Sequence, residues 1–329
     1  MSSKTHAAAD PSPFPLPPSR HRVEVAAAVI LREDGSFLLG QRPANKVYAG
    51  YWEFPGGKIE PNEAPLAALG RELHEELGID VECAYPWLTR DYDYAHAAVR
   101  LRFFRVVKWS GALHGRESQR FAWQSPAAIE VGPLLPANAP ILRALRLPPV
   151  YAISNAAELG GQEFLRRLAL ALAQGLKLLQ VREKHLPEDE LRCFATEMVR
   201  LARAHGACVL VNGSVELARH IGADGVHLTA AQLTQLTRRP ALELIGASCH
   251  DAQELARAAA LGADFVVLGP VLPTPSHPGA AGIGWEKLAG LLRDYALPVY
   301  AIGGMRPSDL ETAWRCGAHG ISMMRGAWG

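Results

Sequence analysis

Gly57-Lys58-Ile59-Glu60-Pro61-Asn62-Glu63 and, after residues 64–70, Arg71-Glu72-Leu73-His74-Glu75-Glu76-Leu77-Gly78-Ile79 form the stretch on which the reading of this chain turns. Over residues 64–77 the apolar Leu66, Leu69, Leu73 and Leu77 recur at three- and four-residue steps, so the spacing predicts an amphipathic helix with one buried face. Glu72, Glu75 and Glu76 fall on neighbouring turns of its other side. Like charges that close repel unless a cation neutralises them, and a cluster of hard carboxylate oxygens suits Mg²⁺ or Mn²⁺. Pro55-Gly56-Gly57 reads as a turn that lets backbone approach a metal or a phosphate, and Gly78 as the helix stop. Arg71 is placed to pair with Glu63 across the loop-helix junction and so to fix the carboxylates. A solvated acidic helix face would account for the charges, but not for glycines and an arginine at these spacings.

This segment matches the signature of the Nudix hydrolases without a mismatch. The resemblance implies an α/β/α sandwich in which a metal-activated water attacks one phosphorus of a nucleoside diphosphate derivative. Carried onto this chain, the Gly56 carbonyl, Glu72, Glu75 and Glu76 would hold Mg²⁺, with Mn²⁺ as substitute, and Glu63 and Arg71 would support them. The flanks resemble the MutT-type 8-oxo-dGTP diphosphatases: Glu53-Phe54-Pro55-Gly56-Gly57-Lys58-Ile59-Glu60 repeats that branch's entry to the motif, and Leu135-Pro136-Ala137-Asn138-Ala139-Pro140-Ile141 its exit. The resemblance makes Asn138 the purine reader, an amide offering donor and acceptor together. Alone, Asn138 reads as a turn residue beside prolines. By the same likeness Glu117, standing before Trp123, is an additional metal-binding or basic glutamate, while Arg42, Lys58 and Phe54 belong to the substrate side. In Tyr92-Asp93-Tyr94-Ala95-His96-Ala97, the last two residues replace an Asp-Arg pair of that branch.

The chain has 329 residues, 49% of them hydrophobic, which is ample for two cores. A net charge of +1 gives no electrostatic case for a nucleic-acid polymer or an anionic membrane, so a small-molecule nucleotide is the expected partner. Five scattered cysteines, an odd number without CxxC spacing, argue against a disulfide framework or zinc site and fit a reducing, cytoplasmic setting. Residues 1–21, with five prolines, lack the apolar core of a signal peptide and read as a disordered extension.

Residues 22–147 thus read as the hydrolase domain. Past Leu147-Pro148-Pro149, short β-rich runs begin near Val150, Leu176, Cys208, Gly225, Leu244, Phe265, Val299 and Gly320, alternating with helical patterns such as 162–174 and 188–205. A (β/α)₈ barrel over residues 150–329 is the economical architecture. Its strand ends resemble thiamine-phosphate synthase and its relative TenI: Gln180-Val181-Arg182-Glu183-Lys184, Gly222-Ala223-Asp224-Gly225-Val226-His227-Leu228, Ser248-Cys249-His250, the segment ending at Thr274, and Ala301-Ile302-Gly303-Gly304. Gln180, Arg182, Lys184, Thr274, Gly303 and Gly304 would grip a phosphate. Departures fall on positions that the chemistry needs: Asn212-Gly213-Ser214 stands for an Asn-Asp-Arg run and Gln232 for a second magnesium aspartate, so both carboxylates are gone, and His277 replaces a lysine. The leading expectation is 8-oxo-dGTP diphosphatase activity beside a barrel that keeps phosphate binding. Alternatives are a bifunctional thiamine-phosphate synthase, a hydrolase of thiamine-related diphosphates, and a barrel that only senses its ligand.

Overall fold

The structure, a computed structural model, describes residues 22–115, 120–274 and 281–329. The extension 1–21, Glu117 and His277 lie outside them. The N-terminal part runs β1 Val23–Ile30, β2 Phe37–Gln41, β3 Trp52–Glu53, β4 Gly56–Lys58, α1 Pro65–Leu77, β5 Asp80–Asp93, β6 Ala98–Ser110, β7 Phe121–Gln124 and α2 Ala139–Ala144. A four-stranded sheet has the order β4-β1-β6-β5, and a three-stranded sheet the order β3-β2-β7. β1 alternates its small and branched side chains between two cores. Ala26, Ala28 and Ile30 meet α1 through Leu69, Leu73 and Leu77, whereas Ala27 and Val29 meet α2 through Ile141. Helices on both sides of a sheet make the expected α/β/α sandwich. Leu66, in the first turn of α1, stays 49% exposed; Ala68 enters the core instead, where a methyl group lets helix and sheet lie close.

The C-terminal part is a closed barrel of parallel strands: β8 Val150–Ile153, β9 Leu178–Val181, β10 Cys208–Asn212, β11 Gly225–Leu228, β12 Leu244–Cys249, β13 Phe265–Leu268, β14 Val299–Ile302 and β15 Gly320–Met323. Between them lie α3 Ala156–Leu159, α4 Gly161–Ala173, α5 Glu188–Ala204, α6 Val215–His220, α7 Ala230–Gln235, α8 Ala252–Leu261, α9 Gly284–Leu292 and α10 Leu310–Arg315. Helices α3, α6 and α7 are six residues or fewer, too short for a clear 3.6-residue signal in the sequence. The lumen is filled by rings, Phe265 standing edge-on to Tyr151 at 5.2 Å and to Tyr300 at 5.3 Å. After β15, Trp328 packs edge-on against Phe164 at 4.7 Å and donates Nε1–H to the Ile153 carbonyl at 2.8 Å.

The two parts meet through the β5/β6 hairpin. The Thr89 N–H donates to the Tyr295 carbonyl at 3.0 Å, Tyr85 donates its hydroxyl to Glu311 at 3.0 Å, and Arg102 pairs with Asp294 at 2.5 Å. Asp294 and Tyr295 lie between α9 and β14, so this contact covers the N-terminal end of the barrel strands. The loops that carry barrel chemistry sit at the other end. The proline linker is stitched into the same junction: His319 Nε2 bonds the Leu147 carbonyl at 2.9 Å, and Tyr300 donates to the Pro148 carbonyl at 2.6 Å. All five cysteines are free thiols. Among the described residues, no helix is long and apolar enough to cross a membrane.

Candidate functional site

Helix α1 begins with Pro65 at its first position and ends at Gly78, whose φ of +68° suits a left-handed cap. Arg71 is the hub of its polar side. Its Nε and Nη2 donate to the two Glu63 oxygens at 2.9 and 3.0 Å, Nη1 to Glu72 at 2.9 Å, and Nη2 also to the Lys58 carbonyl at 3.1 Å. The bonds from Arg71 hold the Glu63 carboxyl below its usual range. Glu72 lies over β4 so closely that a Cβ at Gly57 would stand 2.0 Å from its carboxylate carbon. At Gly56 a Cβ would stand 2.1 Å from the Ala26 carbonyl oxygen. Close approach of the β1 backbone therefore requires glycine at Gly56, whereas a side chain at position 57 would push the Glu72 carboxylate out of its present place. Glu75 is exposed, and Glu76, with 13% side-chain exposure, faces Lys46 Nζ at 3.6 Å.

The donor set fits a hard divalent cation: carboxylates on consecutive turns beside a backbone cleared of side chains. As the side chains stand, no three acidic, histidine or cysteine residues converge on one point among the described residues. Arg71 ties Glu72 to Glu63, and Glu76 faces Lys46.

The substrate-side residues gather around β3. Arg42 grips Glu53 with Nη1 at 2.6 Å from both oxygens and donates Nε–H to the Val47 carbonyl at 2.7 Å. Burial pushes the Glu53 carboxyl up, opposed by Arg42 and then by Lys46. Asn138, 4% exposed, sits in a 3₁₀ turn and donates Nδ2–H to the Trp52 carbonyl at 3.3 Å. Phe54 is 5% exposed, with Phe37 and Phe103 each 5.7 Å away, so its ring belongs to the core. Lys58 is exposed, and its carbonyl serves Arg71. Two groups escaped the reading of the sequence, Lys46 and Glu53. A carboxylate set between Trp52 and Phe54 was the available signal for Glu53.

In the barrel, Gln180, expected among the phosphate-gripping residues, faces the lumen. It is 2% exposed and donates Nε2–H to the Tyr151 hydroxyl at 3.0 Å, because its position on β9 turns it inward. With its oxygen so occupied, Tyr151 donates to His227 Nδ1 at 3.2 Å, and His227 Nε2–H reaches Ser248 Oγ at 2.9 Å. Burial, and then the Arg182 charge, push the His227 imidazole down to about 3, so this relay is neutral. His250, at the next strand end, instead bonds Glu254 Oε2 through Nδ1 at 2.9 Å.

Arg182, Lys184 and Thr274 do lie in segments after strands, as do Gly303 and Gly304. The glycine pair has φ of +103° and +65°, and side chains there would strike Pro270 and the Pro273 carbonyl. Glu183, 4% exposed, accepts from the Ala156 and Ala157 N–H groups at 2.8 and 3.2 Å. Gln232 does a structural task where a carboxylate was expected: Nε2 donates to the Gly213 carbonyl and Oε1 accepts from the Thr229 N–H at 3.1 Å, tying two rim loops together.

Residues 150–327 match the family described as thiamine monophosphate synthase (TMP-TENI), and residues 20–145 match the NUDIX domain. A thiamine-phosphate synthase of Chromobacterium violaceum is 42% identical over 48% of this chain and 78% of its own length. A CTP pyrophosphohydrolase of Escherichia coli is 42% identical over 37% of this chain and 90% of its own. A crystal structure of a MutT NUDIX hydrolase from Burkholderia pseudomallei is 27% identical, covers 37% of this chain and 97% of its own, and superposes with a TM-score of 0.35. The chain thus joins two families, belonging to the Nudix hydrolases through its N-terminal sandwich and to the thiamine monophosphate synthase family through its C-terminal barrel.

Proposed function

We propose that the sandwich hydrolyses 8-oxo-dGTP to 8-oxo-dGMP and pyrophosphate, clearing an oxidised nucleotide before it is used in DNA replication. The Nudix domain makes the chain a hydrolase of diphosphate bonds, a class that works with a divalent metal such as Mg²⁺. The observation that carries the substrate reading is Asn138: a buried amide, pinned by one bond to Trp52, beside the strand where Arg42 and Glu53 pair. A buried amide presents fixed donor and acceptor directions to a purine edge, and its burial makes a mismatched edge expensive.

Glu72, Glu75, Glu76 and the Gly56 carbonyl would hold the metal, which when bound neutralises charge at the phosphoryl oxygens. Arg71 keeps Glu63 and Glu72 oriented, and Gly57 leaves space for the Glu72 carboxylate. A second reading, a pyrimidine nucleoside triphosphate as substrate, is favoured by the likeness to the CTP pyrophosphohydrolase. For the barrel, the reading is phosphate-ester binding at the mouth without synthase turnover, since Gly213 and Gln232 stand where magnesium carboxylates would be needed. The deciding experiment is pyrophosphate release by the full-length protein with Mg²⁺ on 8-oxo-dGTP, dGTP and CTP at equal low concentrations. Preference for 8-oxo-dGTP upholds the purine reading, and preference for CTP replaces it.

A further inference from the structure

Beside the contact that joins sandwich to barrel lies a cleft of about 290 Å³. Thr89, Arg90 and Asp91 of β5 and Arg100 of β6 form one wall, and Asp294 and Ala296, between α9 and β14, form the other. Each aspartate in it already has its cation. Asp91 accepts from Arg100 Nε and Nη2 at 2.8 and 3.0 Å and lies 3.4 Å from Arg22, while Asp294 accepts from Arg102 at 2.5 Å. These pairings leave Arg90 over. Among the described residues it pairs with no carboxylate, and its hydrogen bond is Nη1–H to the Ala296 carbonyl at 3.3 Å. Arg143, exposed on α2, is likewise without a carboxylate among the described residues, and its charge falls on Arg90. Burial, and then that like charge, push the Arg90 guanidinium down.

A guanidinium carries five N–H donors in a planar fork and is rarely taken out of water unless paired. One long bond to a carbonyl leaves most of that capacity unused. Two like charges set close together and partly buried repel, and an anion shared between them turns the arrangement favourable. The lining also selects the anion. It holds no aromatic ring and no apolar side chain larger than the Ala296 methyl, so a nucleobase or a thiazole has nothing to lie against, whereas a compact oxyanion fits the donor fork.

We propose that this cleft is a binding site for inorganic phosphate, gripped by Arg90 with Arg143 as the second cation, and that filling it tightens the junction between sandwich and barrel. The site is independent of which triphosphate the sandwich hydrolyses.

Calorimetric titration of the full-length protein with inorganic phosphate tests it, on the wild type, Arg90→Gln, Arg143→Gln and Arg182→Gln. Omitting divalent metal keeps phosphate away from the hydrolase carboxylates, and Arg182→Gln reports on the barrel mouth. Arg90→Gln is expected to bind phosphate about tenfold more weakly and Arg143→Gln about threefold more weakly, with Arg182→Gln retaining the cleft's binding. Equal affinity in the wild type and Arg90→Gln overturns the site, and a loss confined to Arg182→Gln places the anion at the barrel mouth instead. Should Arg90→Gln fail to fold, the exposed Arg143 decides, and unchanged affinity in Arg143→Gln overturns the pair. The same titration with dGMP, which carries its phosphate on a nucleoside, is expected to show no dependence on Arg90; such a dependence would overturn the assignment to free phosphate. Phosphate is also expected to raise the thermal midpoint of the wild type more than that of Arg90→Gln, and equal rises would overturn the tightening of the junction.

Discussion

Arg105 of β6 donates Nη1–H to the carbonyl of His319 at 3.1 Å, across the boundary between sandwich and barrel. Its Nη2 reaches the Ala318 carbonyl at 2.8 Å, and the guanidinium lies 4.9 Å from the Trp87 ring and 5.6 Å from the Trp314 ring. With no carboxylate among these partners, burial pushes this guanidinium down to about 9. A charge held this way closes the N-terminal end of the barrel with bonds to backbone oxygens and with ring faces.

Arg105→Met removes those donors and leaves two carbonyls at the junction without them. The expected loss is about 2–4 kcal/mol of unfolding free energy. Urea unfolding followed by tryptophan fluorescence measures it, and a loss under roughly 0.5 kcal/mol would show the junction to be incidental.

Acid should weaken the fold through two buried histidines. Burial holds His319 and His227 down to about 3, well under the ordinary value of 6.5. The unfolded chain takes up these protons near pH 6.5 and the folded chain only near pH 3, so their contribution is complete above 6.5 and is lost as pH falls toward 3. Unfolding free energies at pH 7.5, 6 and 5 should fall in the wild type, and less steeply in His319→Gln. Parallel profiles would contradict the assignment.

Glu76→Gln is expected to lower hydrolysis about a hundredfold or more while the thermal midpoint stays close to the wild type, since a metal carboxylate is lost and little packing with it. Near-normal turnover would remove Glu76 from the metal site. Gly57→Ala tests the neighbouring carboxylate by sterics, its new methyl standing 2.0 Å from the present position of the Glu72 carboxylate carbon. Mn²⁺ affinity should fall about tenfold or more as Glu72 is displaced.

Incubated with the thiazole phosphate, the pyrimidine diphosphate and Mg²⁺, the full-length protein is expected to form no thiamine phosphate. Gln232→Asp alone should not restore it, because the shorter side chain gives up the bridge between Gly213 and Thr229 without supplying the carboxylate missing at position 213. Product from the wild type would establish the barrel as a working synthase.

Much of this molecule was legible along the chain because its signals are local. The three- and four-residue steps of Leu69, Leu73 and Leu77, the glycines at 57 and 78, and the pairing of Arg71 with Glu63 all lie within one short segment. The barrel strands were legible too, as short apolar runs recurring between helical stretches. The tertiary structure alone decided the rest. It turned Gln180 into the lumen, gave Gln232 two loops to bridge, brought Lys46 to Glu76, and set Arg105 against a carbonyl 214 residues away. Periodicity reports which face of an element is buried; what that face meets depends on how distant elements dock, and no spacing along the chain carries that information.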